Sequence, residues 1–392
     1  MTRRTRESSF GTMAKVIERI ALPGSASGTA HELVVHRYGS PGARPKAYLQ
    51  ASIHADETPP MLVLHHLLRF LDEAARDGTI RGEIVVVPVA NPIGLSQEVM
   101  GMHIGRSDLA GGGNFNRQWP DVTDRVAAAI AGALGPEAGA NAALIRHALA
   151  QAVAAIEPAN SLAAMRLSLL ARAIDADIVL DLHSDQEALP HLFIGTPNWP
   201  AGSDLAAELQ SRAALFTHDP GGQAFEDICA LAWHKLGARF GPTHPVPQAC
   251  LAATIELRGK ADVSDALAAR DAQGLFRFLT RRGVLAGDPG PLPDSPCEAV
   301  PFEAVDVVRA PRAGVLVHRA SLGDQLTAGD VLADIVDPTA EDPRGARTSV
   351  ATRATGWVLA RRADRYVRLG QVVAKVVGRT PLPDRTGHLL ED

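Results

Sequence analysis

Residues 47–60, Ala47-Tyr48-Leu49-Gln50-Ala51-Ser52-Ile53-His54-Ala55-Asp56-Glu57-Thr58-Pro59-Pro60, carry the reading that decides the fold. The apolar run 47–53 reads as a buried strand, and a helix start follows it. Thr58 offers an N-cap, and proline suits the first helical turn because its missing N–H has no partner there anyway. His54 and Glu57 therefore stand at the carboxyl end of a strand, where open α/β sheets gather their functional groups. An imidazole and a carboxylate held together at that point are half of a divalent-metal site. The arrangement returns twice. Asp177-Ile178-Val179-Leu180-Asp181-Leu182 is a second strand-like run and delivers His183, and Ala252-Ala253-Thr254-Ile255-Glu256-Leu257 carries Glu256. Two His and one Glu match the ligands of a catalytic zinc that keeps one position open for water. Glu256 is then a spare general base.

Outward from this stretch, strand-like runs at 31–37, 84–89 and 192–195 alternate with helical patterns. Helices are expected roughly over 123–134, 140–156, 160–175, 203–215 and 262–281, and a Gly-rich loop over 105–120. Such alternation predicts an α/β fold: a mainly parallel mixed sheet flanked by helices. The helical segment 121–175 is a lid or a homo-oligomer contact. A Pro- and Gly-rich stretch, Gly287–Pro296, can hold neither helix nor ladder. The chain thus divides into a lead (1–13, with Met13 a candidate start), a catalytic domain (14–286), a linker and entry (287–304), an all-β domain (305–378) and a tail (379–392). The β domain repeats internally: Ala310–Leu316 is echoed by Thr352–Val358, and Leu326–Leu332 by Val367–Val373. Two such halves resemble the barrel-sandwich hybrid of biotinyl and lipoyl carrier domains. The segment 337–349 between them has no lysine to carry a group, so only the fold is retained.

Composition sets limits. The 392 residues are 46% hydrophobic, enough for a large core, and the net charge of −5 gives no basic footprint for nucleic acid. No apolar run approaches the roughly 18–20 residues that span a bilayer. Cys229, Cys250 and Cys297 are scattered and form neither a disulfide framework nor a zinc-cysteine motif. No apolar signal segment follows Arg3, Arg4 and Arg6, so the expectation is a cytoplasmic protein without membrane or nucleic-acid partners.

In order along the chain stand Ser52-Ile53-His54-Ala55-Asp56-Glu57, Asn114-Phe115-Asn116-Arg117, Asp181-Leu182-His183-Ser184 and Thr254-Ile255-Glu256-Leu257. Together they resemble the succinylglutamate desuccinylase/aspartoacylase family, a branch of the zinc carboxypeptidase-like hydrolases with an appended β domain. The resemblance implies one zinc per chain on His54, Glu57 and His183. It implies Glu256 as the catalytic carboxylate, and Asn116 and Arg117 as binders of a substrate carboxylate. Arg106, eleven residues before Arg117, is the candidate cation for the scissile carbonyl, with Arg125 as its competitor. Asp181 orients the His183 imidazole or caps a loop, and Gly111-Gly112-Gly113 lets the backbone approach the cleft. The expected activity is deacylation of a small N-acyl amino acid. A metallocarboxypeptidase acting on short peptides is the alternative, weakened because none of Tyr38, Tyr48 and Tyr366 lies just before Glu256. A non-catalytic binding or scaffold protein would be expected had a ligand or base been lost, but every position is filled.

Overall fold

The computed structural model describes residues 15–24, 26–387 and 389, and the lead over 1–13 lies outside them. The apolar runs form a nine-stranded sheet in the order Lys15–Leu22, His31–Tyr38, Glu83–Val87, Lys46–Ala51, Ile178–Asp185, Leu251–Gly259, His191–Gly195, Ala213–Thr217, Glu298–Pro301. Five of the neighbouring pairs are parallel, and the strands at 46–51, 178–185 and 251–259 lie side by side at the centre.

Side chains alternate across this sheet and feed two cores. Tyr48, Val85, Val87 and Val179 face the helices Thr123–Ile130, Ala138–Ala154, Ser161–Ala173 and Phe225–Phe240. Ala47, Leu49, Ala51, Val86 and Leu180 face Pro59–Arg76 and Asp265–Arg281. Burial on both faces explains why the central strands read as unbroken apolar runs. No helix among the described residues is long and apolar enough to cross a membrane.

Several local expectations shift. The helix after Thr58 spans Pro59–Arg76, but the Thr58 hydroxyl makes no capping bond. The helix expected over 203–215 stops at Glu208, and Ala213–Thr217 is a strand. Glu298–Pro301, inside the expected linker, adds a strand to the large sheet beside Ala213–Thr217.

The carboxyl-terminal repeats form two facing sheets. The echoed strands Gly314–His318 and Gly356–Arg361 occupy equivalent places, each pairing with a strand from the other repeat. A Cβ on Gly314 would come within 2.4 Å of the Val336 carbonyl oxygen, and one on Gly356 within 1.7 Å of that of Val377. Glycine is thus required at both for close backbone approach. The two halves of the protein are stitched together, because Glu187–Ala188, just after the central strand 178–185, pairs with Ala360 and Arg361.

Candidate active site

His54 follows the strand Lys46–Ala51 through Ser52, which turns the chain with φ 68°. His183 lies in the neighbouring strand, level with Glu256 of the next one. Glu57 sits one turn beyond His54 and bridges both imidazoles, with Oε1 3.1 Å from His54 Nδ1 and Oε2 2.9 Å from His183 Nδ1. Donor atoms from all three lie within 4.8 Å of one another, and each residue is about 3% exposed. The outer ring nitrogens are also held. His54 Nε2 is 2.8 Å from Asn114 Oδ1, and His183 Nε2 is 3.0 Å from Asp181 Oδ2. Behind Asp181 the chain of polar contacts continues through Gln50 to the Tyr48 hydroxyl. Such outer partners fix ring orientation, so Asp181 orients the imidazole.

Burial alone would raise the Glu57 carboxyl, yet the two imidazoles hold it well below the usual carboxylate range. Burial opposes charge on His183, but Asp181 and Glu57 outweigh it and raise its pKa well above that of free imidazole. Two imidazoles and a carboxylate could hold a metal ion, and a divalent cation among them would take the place of the His183 proton.

The loop 105–117 is drawn tightly against the first motif. Gly105 accepts a hydrogen bond from the Ala55 amide, and a Cβ on it would lie 2.1 Å from the Asp56 nitrogen. This approach points Arg106 at the cluster, with Nη1 3.3 Å from His54 Nδ1 and 3.6 Å from Glu57 Oε1. Arg125 instead reaches the Ala152 carbonyl from its helix. The three glycines at 111–113 turn a small hairpin, pairing Ser107–Asp108 with Gly113–Asn114, rather than lining the cleft. Asn116 Oδ1 accepts from Trp119 Nε1 and the Phe225 amide, while its Nδ2 lies 3.4 Å from both Asp181 and His183. Arg117 extends beside it and donates to the Asn116 carbonyl.

Glu256 enters the same cleft. Arg258, its conceivable salt-bridge partner, bonds Asp271 instead, and Glu256 Oε2 has no hydrogen-bond partner among the described residues. Burial, and then the nearby Glu57 carboxylate, push its pKa up to about 8. The far wall comes from the β half. Lys375 Nζ bonds Asp185 Oδ2 at 2.6 Å, and with Arg361 and Gln371 it closes a cleft of about 760 Å³ over Glu57, Arg106 and Glu256. Tyr366 is 60% exposed and does not line it. Lys375→Met would keep the aliphatic stem but strand the Asp185 carboxylate. Allowing for partial exposure, we expect a loss on the order of 2 kcal/mol in urea unfolding. A loss under about 0.5 kcal/mol would reduce the pair to a surface contact.

A smaller recess of about 80 Å³ runs inward from the two imidazoles past Arg117, Thr254, Glu226, Phe193 and Leu389. Sequence reasoning could not orient the acidic and histidine residues between His183 and Glu256. In the structure Glu226 and Asp227 open the helix Phe225–Phe240, while His218 is exposed and stacks near His234. The local signal for Glu226 was an acidic pair beginning an apolar helix, which ordinarily marks a solvated first turn. Lys375 had no local signal at all.

The architecture defines a class: an α/β protein carrying a buried His-Glu-His donor group at the carboxyl ends of central strands. Residues 43–146 match the succinylglutamate desuccinylase/aspartoacylase catalytic domain, a span holding His54, Glu57, Arg106, Asn116 and Arg117. It is 25% identical over 344 residues to N-alpha-acetyl-L-2,4-diaminobutyric acid deacetylase of Halomonas elongata, covering 86% of this chain and 82% of that one. A protein of this type from Shewanella frigidimarina, 24% identical, shares the fold with a TM-score of 0.79 over 95% of this chain and 100% of its own. Another, from Shewanella amazonensis, is 23% identical with a TM-score of 0.80 over 92% and 98%. The names of the family and of the curated relative are those of hydrolases acting on N-acyl amino acids.

Proposed function

We propose that this protein is a zinc-dependent deacylase that hydrolyses the amide of an N-acyl amino acid or a similar small carboxylate-bearing amide. The observation that carries the reading is the buried His54-Glu57-His183 group beside Glu256, whose Oε2 has no hydrogen-bond partner among the described residues and which lines both the cleft with Glu57 and the adjoining recess with the two imidazoles. His54 Nδ1, Glu57 and His183 Nδ1 would hold the zinc, which when bound polarises a carbonyl and acidifies water. Glu256 takes the proton of the attacking water and delivers it to the departing nitrogen, acting as base and then as acid. Arg106 presents a guanidinium where the carbonyl oxygen gains charge. Arg117 grips the substrate carboxylate with a planar fork, and Asn116 steadies Asp181 and His183 beside it.

The diaminobutyric acid deacetylase relative supports an N-acyl amino acid as the substrate class. The test is elemental analysis for about one zinc per chain, followed by a hydrolysis panel of N-acyl amino acids against dipeptides. Hydrolysis restricted to dipeptides would replace this reading with a peptidase. Arg117→Ala should raise KM for carboxylate-bearing substrates by about 10-fold or more, matching the loss of a charge-assisted pair, with a smaller change in kcat. An unchanged KM would remove Arg117 from the substrate site.

A further inference from the structure

The inner recess has an apolar side that the reaction above does not use. Four of the side chains lining it, Phe193, Phe302, Val307 and Leu389, pack in one apolar cluster, with the rings of Phe193 and Phe302 5.1 Å apart. Leu389 comes from the tail and is 2% exposed. The tail reaches the recess along a series of anchors. Arg379 pairs with Glu298, the Leu382 amide donates to the Glu303 carbonyl, and Asp384 pairs with Arg353. The Arg385 guanidinium then lies 5.5 Å from the centre of the Phe302 ring and donates to the Leu389 carbonyl. The Leu389 amide donates to the Pro220 carbonyl at 2.8 Å. In the same loop the Gly222 and Gln223 carbonyls accept the Gln118 and Trp119 amides, directly after Arg117. One loop therefore seats both Leu389 and the segment that carries Arg117.

We infer that Leu389 is a specificity-determining residue: with Phe193, Phe302 and Val307 it receives the side chain of the substrate's amino acid, and it limits that side chain to a short, uncharged one. The inference rests on the deacylase reading, which sets the substrate carboxylate on Arg117 and so puts the amino acid half of the substrate in the recess that Arg117 lines. The recess holds about 80 Å³, against about 760 Å³ for the outer cleft, so it accepts few atoms beyond the α-carbon. A charged side chain would give up its hydration against the four apolar groups. Burial and then Asp181 raise the carboxyl of Glu226, so the recess disfavours charge on its own acid as well. A side chain one methylene too long would press on Leu389, whose backbone is held at both its amide and its carbonyl.

The experiment compares kcat/KM of the zinc-loaded protein for the N-acetyl derivatives of alanine, 2-aminobutyrate, norvaline and norleucine, which lengthen by one methylene at a time. A fall of about 10-fold or more should appear at one step, the discrimination that a methylene commands in an apolar pocket. Leu389→Ala should move that step to a longer side chain, and Leu389→Phe to a shorter one. A flat series, or a step that both variants leave in place, would overturn the inference. So would faster turnover of N-α-acetyl-2,4-diaminobutyrate than of its uncharged isostere N-acetylnorvaline. The flat series and the charged analogue need no variant to fold. Calorimetric titration with the four free amino acids separates the two readings. Hydrolysis along a flat series leaves the deacylase standing and removes the side-chain limit. A length step in binding that Leu389→Ala shifts, without hydrolysis of any derivative, does the reverse.

Discussion

Glu256→Gln will lower kcat by about 10²- to 10⁴-fold, the range that a positioned general acid–base supplies, while zinc content stays at that of the wild type. Glutamine keeps the shape of the side chain and deletes only the group that moves the proton. Glu256 makes no hydrogen bond to His54, Glu57 or His183, so the donor set should survive intact. A variant with more than about a tenth of wild-type kcat would dismiss Glu256 as the base. The same variant has a pH signature in the metal-free protein. A carboxyl raised in the folded state, here to about 8 by burial and then by Glu57, binds its proton more tightly folded than unfolded. The wild type therefore forfeits stability as pH climbs from its unfolded value toward 8. Glu256→Gln has no such proton to lose, so the stability gap in its favour should widen over that window. Equal pH profiles for the two metal-free proteins would mean that Glu256 is less isolated than its surroundings indicate.

His183→Ala should fail in two ways that can be measured separately. Zinc per chain should fall from about one to near zero in elemental analysis, since three protein ligands become two. The metal-free chain should also lose about 3 kcal/mol, because Asp181, which is 0% exposed, is left with a buried carboxylate and no imidazole. Added zinc at about 100 times its Kd should raise wild-type stability by about 2.7 kcal/mol and leave the variant unmoved. If zinc stabilises both proteins equally, the metal sits elsewhere.

Much of this site was legible in the sequence for a physical reason. Central strands buried on both faces announce themselves as apolar runs, and their carboxyl ends locate His54, His183 and Glu256 without further information. The helices at Thr123–Ile130, Ala138–Ala154 and Ser161–Ala173 likewise followed from an Ala/Leu-rich stretch with few breakers. Ala213–Thr217 was absorbed into a helix because a five-residue apolar run has no period of its own that separates strand from helix. The expectation for Gly111–Gly113 failed because a hairpin and an open cleft loop make the same demand for glycine. Lys375 and Glu226 reach the site only through tertiary packing, one across 190 residues from Asp185 and the other by rotation of a helix face, and no local pattern encodes either placement.

The strand pairing between Glu187–Ala188 and the carboxyl-terminal half has a bearing on biosynthesis. A ribosome delivers the proposed zinc ligands 54, 57 and 183 early, long before it delivers Lys375 and Leu389, which wall the cleft and its recess. A nascent chain would thus own its metal donors while its reaction chamber still lay open to bulk water. Competence would arrive only once Lys375 and Leu389 had joined the fold, because the walls they form close the cleft and its recess.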